Sequence, residues 1–340
     1  MSEQIPRREL LRRRRDGETP REENESPRPI VCLSREAMAC LFEIQFAEGS
    51  LDRKIAIRAF DWIDAIEKQL TIYRDDSEIS RLNREGFENP VIIEDRLFTL
   101  LEDCHRLWSE TGGAFDITAG PLIKAWGFKR REGRVPTDAE LAESKNNVGM
   151  EHLRLDRSKR SAELRRPNME INFGGIGKGY ALDRVSEWLR EQGAKDFLLG
   201  AGQSSVLAHG ARPAERGWPI DIQHPVDSSR MLAKVHLVGQ GLSTSATTEQ
   251  YFEEEGKRFG HILDPRSGWP VEGMIQVAVV ATTAARAEAL STAFFVLGVD
   301  WATDYCRRNP EVGAILVTMK QDGDAVDVHV VGSIDAEVHA

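Results

Sequence analysis

The order of the predicted helices and strands constrains the fold more than any single motif does. Apolar residues recur at helical spacing in four segments, residues 51–69, 95–113, 179–193 and 284–298, which we predict as amphipathic helices. Between these helices, short apolar or alternating runs occur in groups of several predicted strands. A doubly wound fold would alternate single strands with single helices, so the pattern predicts an α+β fold with largely antiparallel sheet.

The predicted strands begin with CLFEIQF, residues 40–46, whose alternation is typical of a half-buried strand. Ser77 is the predicted N-cap of a short helix within residues 75–83. Residues 114–128 are less regular, because Gly and Pro interrupt them. The further predicted strands are 152–156 and 161–166 as a hairpin, 169–173, 196–202, 205–210, 218–225, 233–245, 258–265, 274–283, 313–319 and 325–332.

Length and charge limit the classes of function. The chain has 340 residues, enough for a substantial core, and a net charge of −10. A nucleic-acid-binding protein takes its affinity from a basic surface, so this charge argues against that class. No apolar run approaches the roughly 20 residues of a membrane-spanning helix, so no membrane partner is expected. The four cysteines are scattered without a CxxC pair, which indicates reduced thiols rather than a disulfide framework or a zinc site.

The first 29 residues differ in composition from the rest of the chain. The run RRELLRRRRDGETPREENESPRP interleaves arginines with acids and prolines and offers little to bury. Such a composition is typical of disordered segments. We therefore predict a disordered charged tail over residues 1–29 and one folded domain over residues 30–340.

The segment INFGGIGKGYALD, residues 171–183, is the strongest indication of a binding site. Four glycines and Lys178 precede a predicted helix, and a helix N-terminus presents unpaired N–H groups to an anion. The glycines would allow close approach of a ligand and positive φ. Neither the P-loop pattern nor the dinucleotide fingerprint is satisfied, since Gly179 and Tyr180 occupy positions that those motifs reserve. Phosphate binding and a purely structural strand–helix turn both remain open from this loop alone.

Three other places in the sequence, one of them a pair of residues, carry side chains suited to chemistry. Glu288 and Thr292 lie four residues apart, so they share one helix face and offer oxygen ligands to a hard cation. His261 precedes Asp264 by three residues and would be a natural general base. Asp116 follows two glycines near a predicted loop. Each position also has a structural alternative. Glu288 and Thr292 could be a solvated pair, His261 a structural histidine and Asp116 a turn-capping residue.

Seven segments are informative when they are taken together and in order. They are AMACLFEIQF, TIYRDDSEISRLN, GGAFDITAGPLIKAWGF, INFGGIGKGYALDRVSEWL, GLSTSATTEQYF, HILDPRSGWPV and AEALSTAFFVLG. This ordered set resembles the ApbE family, the FAD:protein FMN transferases. The resemblance covers roughly residues 34 to 320 and implies a single compact α+β unit of the ApbE-like, T-fold-like kind. It implies cleavage of FAD at its pyrophosphate with magnesium, transfer of FMN to a Thr or Ser hydroxyl of an acceptor protein, and release of AMP.

The resemblance also implies roles for individual residues. His261 would be the base that takes the proton of the acceptor hydroxyl. Magnesium would be held by the Gly175 carbonyl, Glu288 and Thr292, with Ser291 nearby. The residues that would contact FAD are Met38, Tyr73, Ala114, Phe115, Asp116, Asn172, Lys178 and Leu263.

Several positions depart from the family pattern. Glu288 and Asn172 stand where the family usually has Asp, and MACL, GAGQSS and STSATT also differ from the usual motifs. These departures leave two alternatives beside the transferase: a non-catalytic FAD-binding protein and a magnesium-dependent FAD pyrophosphatase. Most family members carry export or lipoprotein signals. No such signal is recognisable here, so we expect a cytoplasmic protein.

Overall fold

The computed structural model describes residues 28–130, 132–247, 250–320 and 325–339. The predicted disordered tail therefore lies almost wholly outside the described residues, and its boundary stays a prediction. The helices are α1 Arg53–Leu70, α2 Glu78–Glu85, α3 Asp95–Glu110, α4 Gly120–Ala125, α5 Asp138–Lys145, α6 Gly177–Glu191 and α7 Ala284–Arg308. The strands are β1 Ile30–Ala37, β2 Cys40–Ala47, β3 Val91–Ile92, β4 Leu153–Asp156, β5 Ser161–Leu164, β6 Phe197–Ala201, β7 Ser205–His209, β8 Trp218–Gln223, β9 Met231–Leu237, β10 Gly241–Ala246, β11 Tyr251–Glu254, β12 Lys257–Gly260, β13 Met274–Ala281, β14 Gly313–Met319, β15 Val326–Gly332 and β16 Ala336–Val338.

A central sheet of eight strands runs in the order β1-β2-β6-β7-β10-β13-β14-β15. Each neighbouring pair in this sheet is antiparallel. Three small sheets accompany it: β11-β12, β16-β9-β8 and β3-β5-β4. The fold is therefore α+β with largely antiparallel sheet, which confirms the prediction from the order of elements.

The two faces of the central sheet are buried in different clusters, because successive side chains of a strand point to opposite faces. Leu199 and Val279 belong to the larger cluster, which also holds apolar residues of α1, α6 and α7. Their neighbours Leu198 and Val280 belong to a second cluster, together with Trp218 of β8 and Val235 of β9. The helices thus cover one face, and the small sheet β16-β9-β8 covers the other.

Most predicted helices lie within a few residues of their expected bounds, and Ser77 caps α2 by accepting the Ser80 N–H. The last helix, α7, consists of two helical segments that meet at a kink at Gly298, whose φ of 82° is not helical. The first segment ends where the sequence predicted, and the second continues to Arg308.

Four strand predictions were wrong in their bounds or in kind. Of residues 258–265, only those up to Gly260 lie in a strand, β12. The first strand is β1, which precedes residues 40–46; its Ser, Arg and Glu residues hide the alternation at the edge of the sheet. Residues 233–245 form parts of two strands, β9 and β10. Residues 169–173 are not a strand: apart from one bridge at Glu170, Asn83 holds the backbone by bonding both N–H and C=O of Ile171.

Candidate functional site

A cavity of about 440 Å³ opens where the β1–β2 turn, the glycine loop, β10 and α7 meet. Its wall includes twelve of the thirteen residues to which the family resemblance assigns a role in catalysis, FAD binding or metal binding. Ser291 is the exception: it is fully buried, and its hydroxyl bonds to the Ser245 hydroxyl at 2.8 Å. The predicted residues in the wall are Met38, Tyr73, Ala114, Phe115, Asp116, Asn172, Gly175, Lys178, His261, Leu263, Glu288 and Thr292.

The glycine loop opens a helix, as predicted, although α6 begins at Gly177 and not at residue 179. The Asn172 Oδ1 atom accepts the Gly174 N–H at 2.8 Å, and the Phe173 carbonyl accepts the Gly177 N–H at 2.7 Å. Ile176, the residue before the helix, makes no side-chain capping bond to the first turn of α6. Gly174, Gly175 and Lys178 line the cavity.

The expected role of the glycines in backbone conformation was wrong, since none of the four adopts positive φ. What Gly179 provides is close packing. A Cβ atom there would lie 2.4 Å from the Ala284 carbonyl oxygen, in the first turn of α7. Only a residue without a side chain lets the two helix N-termini approach this closely.

Glu288 is the charged centre of the site. The residue is almost fully buried, at 4% exposure. The Oε2 atom accepts the Gly179 N–H at 2.6 Å, and the Oε1 atom lies 3.4 Å from Lys178 Nζ. The carboxylate is therefore compensated by a lysine and by the N-terminus of α6, the two partners that favour a buried negative charge.

The predicted cation ligands come together around Glu288. The Thr292 hydroxyl donates to the Glu288 carbonyl at 3.4 Å, and a Cβ built on Gly175 would lie 3.5 Å from Thr292 Oγ1. Ser291 donates to the same carbonyl at 2.9 Å and faces Ser245, so it supports the helix turn rather than the cavity.

The chemistry of these donors fits a hard cation. A carboxylate, a hydroxyl and a backbone carbonyl are oxygen ligands, and magnesium needs only one or two carboxylates when phosphates and water complete its shell. Within the described ranges, no group of three or more His, Cys, Asp or Glu side chains is arranged to hold a metal ion. A cation held by the Gly175 carbonyl, Glu288 and Thr292 would have one protein carboxylate, and water or substrate oxygens would complete its shell.

His261 follows β12 directly, and its ring is oriented by a backbone carbonyl. The Nδ1 atom lies 3.0 Å from the Gln250 oxygen, and Phe128 contacts the ring edge-on at 6.5 Å between centroids. A carbonyl can only accept, so Nδ1 carries the proton of the neutral ring and Nε2 is the basic nitrogen. Gln250 was not found from the sequence, because a backbone carbonyl has no residue signature.

Asp264 does not orient the histidine. Its carboxylate binds the Arg266 guanidinium at 2.8 and 2.9 Å. Burial raises the pKa of Asp264, but the hydrogen bonds and charge of Arg266 outweigh it and hold that pKa below its usual value.

Asp116 both shapes a turn and lines the cavity. Its Oδ1 atom accepts the Thr118 N–H at 2.7 Å and the Thr118 hydroxyl at 2.6 Å. Burial raises the pKa of Asp116 to about 6, although these two hydrogen bonds oppose the rise. The turn-capping alternative is therefore correct for Asp116, and its contact with FAD stays a prediction.

A larger groove of about 980 Å³ adjoins the cavity, and both are lined by Tyr73 and Lys129. Tyr73 is 73% exposed at this border. Lys129 pairs with Glu170 at 2.8 Å and was not found from the sequence, since a single surface lysine carries no distinguishing pattern.

Comparison with known proteins decides the family. The ApbE family model matches residues 38–316 of the chain. The chain belongs to the ApbE family. It is 31% identical over 292 residues to a Haemophilus influenzae protein named FAD:protein FMN transferase, covering 82% of this chain and 84% of that protein. A Klebsiella pneumoniae protein of the same name is 32% identical over 275 residues, covering 80% and 85%.

Solved structures agree with this family. The ApbE protein of Thermotoga maritima superposes with a TM-score of 0.79 at 26% identity, covering 88% of this chain and 96% of that one. The flavinyl transferase ApbE of Pseudomonas stutzeri, in its apo form, also superposes with a TM-score of 0.79, at 28% identity, covering 91% and 96%. The protein is therefore an enzyme of the ApbE family. In the part of the chain that the structure describes, no helix has the length and apolar character needed to cross a bilayer.

Proposed function

We propose that the protein transfers the FMN half of FAD to a Thr or Ser hydroxyl of an acceptor protein and releases AMP. One observation carries the proposal: a single cavity brings together a base at His261, a cation at Lys178 and the oxygen ligands at Glu288 and Thr292. Relatives that cover most of the chain are named FAD:protein FMN transferase, which supports the transfer of FMN from FAD to a protein.

The reaction needs one proton transfer and one exchange of phosphorus–oxygen bonds. The His261 Nε2 atom takes the proton of the acceptor hydroxyl, whose oxygen bonds to the FMN phosphorus. The bond from that phosphorus to the bridging oxygen breaks, and AMP leaves with the bridging oxygen. Lys178 compensates the negative charge of the phosphates, which is the main requirement of phosphoryl-type transfer.

Magnesium is part of this proposal. The Gly175 carbonyl, Glu288 and Thr292 would hold it, and when bound it would neutralise charge on the pyrophosphate. Lys178 already contacts Glu288, so the lysine and the cation would share one carboxylate and would both face the phosphates.

FAD has two ring systems, and a cavity of about 440 Å³ lies in the lower part of the range for binding sites of much smaller ligands. Part of FAD therefore extends toward the adjoining groove. Tyr73, exposed at the border, offers an aromatic face for stacking on the flavin or adenine ring.

The test is AMP release from FAD with magnesium and acceptor, followed by chromatography. We expect His261→Ala to lower the rate about 100-fold or more, because a positioned base contributes 10²–10⁴-fold. His105→Ala, on α3 and outside the cavity wall, is the matched control. An unchanged rate in His261→Ala would contradict the role assigned to the histidine.

The same chromatogram separates the two alternatives. A pyrophosphatase would yield AMP with an equal amount of free FMN, and acceptor would not increase the rate. A non-catalytic FAD-binding protein would yield no AMP under any condition. The cytoplasmic location stays a prediction.

A further inference from the structure

Helices α6 and α7 each supply a carboxylate that accepts N–H groups from the first turn of the other helix. Glu288 on α7 accepts the Gly179 N–H of α6, as described above. In return, Asp183 on α6 accepts two N–H groups from the start of α7: its Oδ1 atom binds Ala284 N at 2.8 Å, and its Oδ2 atom binds Ala285 N at 2.9 Å. Each helix thus satisfies unpaired N–H groups of the other, groups that every helix leaves at its N-terminus.

The start of α7 is also confined by two glycines. A Cβ on Gly179 would lie 2.4 Å from the Ala284 oxygen, and a Cβ on Gly241 of β10 would lie 2.5 Å from Ala284 Cα. Ala284 is therefore in close contact with α6 on one side and with β10 on the other. Packing limits how far α7 can approach, and Asp183 provides the attraction that holds it there.

Helix geometry relates Ala284 to Glu288 and Thr292, the two proposed cation ligands on α7. Residues 284, 288 and 292 are spaced by four, so they lie one above another on one face of α7. A movement of the helix start relative to α6 would therefore displace Glu288 and Thr292 from Gly175 and Lys178. Displacements of about 1 Å can cost roughly 100-fold in rate at a reacting centre.

We propose that Asp183 is a positioning residue that holds the ligand-bearing face of α7 in register with the glycine loop. This inference rests on the proposed function for its catalytic meaning. Asp183 itself does not line the cavity; it lines a separate pocket beside Tyr180 and Arg286. It acts through Glu288 and Thr292, and touches neither FAD nor the cation.

The test compares Asp183→Ala and Asp183→Asn with Thr283→Ala. Thr283 caps the same helix start, but within α7: its hydroxyl oxygen accepts the Arg286 N–H at 3.2 Å. Both alanine variants remove an N-terminal cap, so both should lower the melting temperature. Asp183→Asn keeps one acceptor oxygen and replaces Asp183→Ala in the test if the alanine variant is too unstable to purify.

Two further readouts distinguish positioning from capping. Binding of Mn²⁺, as a probe for magnesium, is measured by electron paramagnetic resonance, and the Gly179 amide is followed by NMR. We expect Asp183→Ala to weaken Mn²⁺ binding at least tenfold and to shift the Gly179 resonance and speed its hydrogen exchange. Asp183→Asn should lie between it and the wild type, and Thr283→Ala should match the wild type in both readouts.

The proposal is overturned if Asp183→Ala, or Asp183→Asn where only that variant is folded, matches Thr283→Ala in Mn²⁺ affinity and in the Gly179 amide. Failure of the wild type to bind Mn²⁺ would instead count against the metal assignment of the proposed function. The Gly179 amide would then decide the role of Asp183 alone: a wild-type-like resonance in the Asp183 variant contradicts it, and a shifted one supports it.

Discussion

At the scale of single residues, Glu288 shows what sequence reasoning can and cannot reach. Its spacing from Thr292 predicted a shared helix face, and the structure places both in one cavity wall. The Gly179 N–H that the carboxylate accepts comes from a helix more than a hundred residues earlier in the chain. A contact of this kind depends on packing between α6 and α7, so residue spacing could not predict it.

The first prediction concerns this carboxylate. Glu288→Gln keeps the size of the side chain but removes the charge opposite Lys178 and the only carboxylate of the proposed cation site. We expect the initial rate of AMP release to fall about 100-fold or more, the size of effect seen when one electrostatic contact at a reacting centre is lost. Asp300→Asn, an exposed acid on the same helix, is the control. A rate within twofold of the wild type would contradict the assignment.

The second prediction concerns pH and Asp116. Its pKa is raised in the folded state to about 6 from 3.8, so between these values the folded protein holds a proton that the unfolded chain has lost. Its contribution is therefore fully present below about pH 4 and is lost as pH rises through about 6. At 1.36 kcal/mol for each pKa unit, the loss is at most about 3 kcal/mol.

Asp116→Asn isolates this effect, because the amide oxygen can still accept from Thr118 but does not titrate. The free energy of unfolding is measured for both proteins by urea denaturation at pH 4 and at pH 7. The wild type should lose up to about 3 kcal/mol relative to the variant between these pH values. The prediction fails if the difference in free energy of unfolding between the two proteins is the same at both pH values, or if the wild type gains stability relative to the variant. Either result would show that burial does not raise the pKa of Asp116.

At the scale of elements, the β1–β2 hairpin turn has an unusual composition. Met38 and Ala39 both have positive φ, 49° and 58°, at the two central positions of a two-residue turn. Turns of this kind favour Asn and Gly, because a Cβ atom is strained in the left-handed region. The positive φ values therefore strain this turn, which also carries Met38 into the cavity wall.

The third prediction is that Ala39→Gly stabilises the fold. Relief of left-handed strain is worth about 1–2 kcal/mol, and the greater flexibility of unfolded glycine offsets about 0.5–1 kcal/mol, so the net gain is about 0.5–1 kcal/mol. Ala37→Gly, at the end of β1 with negative φ, should destabilise instead. Chemical denaturation measures both. Destabilisation by Ala39→Gly would mean that the turn is not strained.

Long elements with a clear period were predicted best. The helices α1, α3 and α6 follow their apolar spacing, whereas residues 169–173 alternate apolar and polar residues over only five positions and do not form a strand. That prediction failed because the Asn83 side chain satisfies the backbone of Ile171 in place of a neighbouring strand. A side chain 88 residues away in sequence leaves no local signal.

At the scale of the whole molecule, the order of elements was enough to predict an α+β fold with antiparallel sheet. It could not predict the strand order of the central sheet, in which β2 pairs with β6 and β7 pairs with β10. Those pairings bring the Met38 turn, the glycine loop and α7 to one cavity, although they lie between residues 38 and 292 of the chain. Resemblance to the ApbE family supplied the candidate site residues, twelve of which line this cavity.

The most direct test of the account is covalent transfer of flavin to protein. The purified enzyme is incubated with FAD, magnesium and a protein extract of the source cells from which small molecules have been removed. Flavin fluorescence is then read in a denaturing gel. We predict a fluorescent band that requires both FAD and magnesium and is lost with His261→Ala but not with His105→Ala. Cleavage of FAD to AMP and free FMN, with no fluorescent protein at any extract concentration, would contradict transfer and identify a pyrophosphatase.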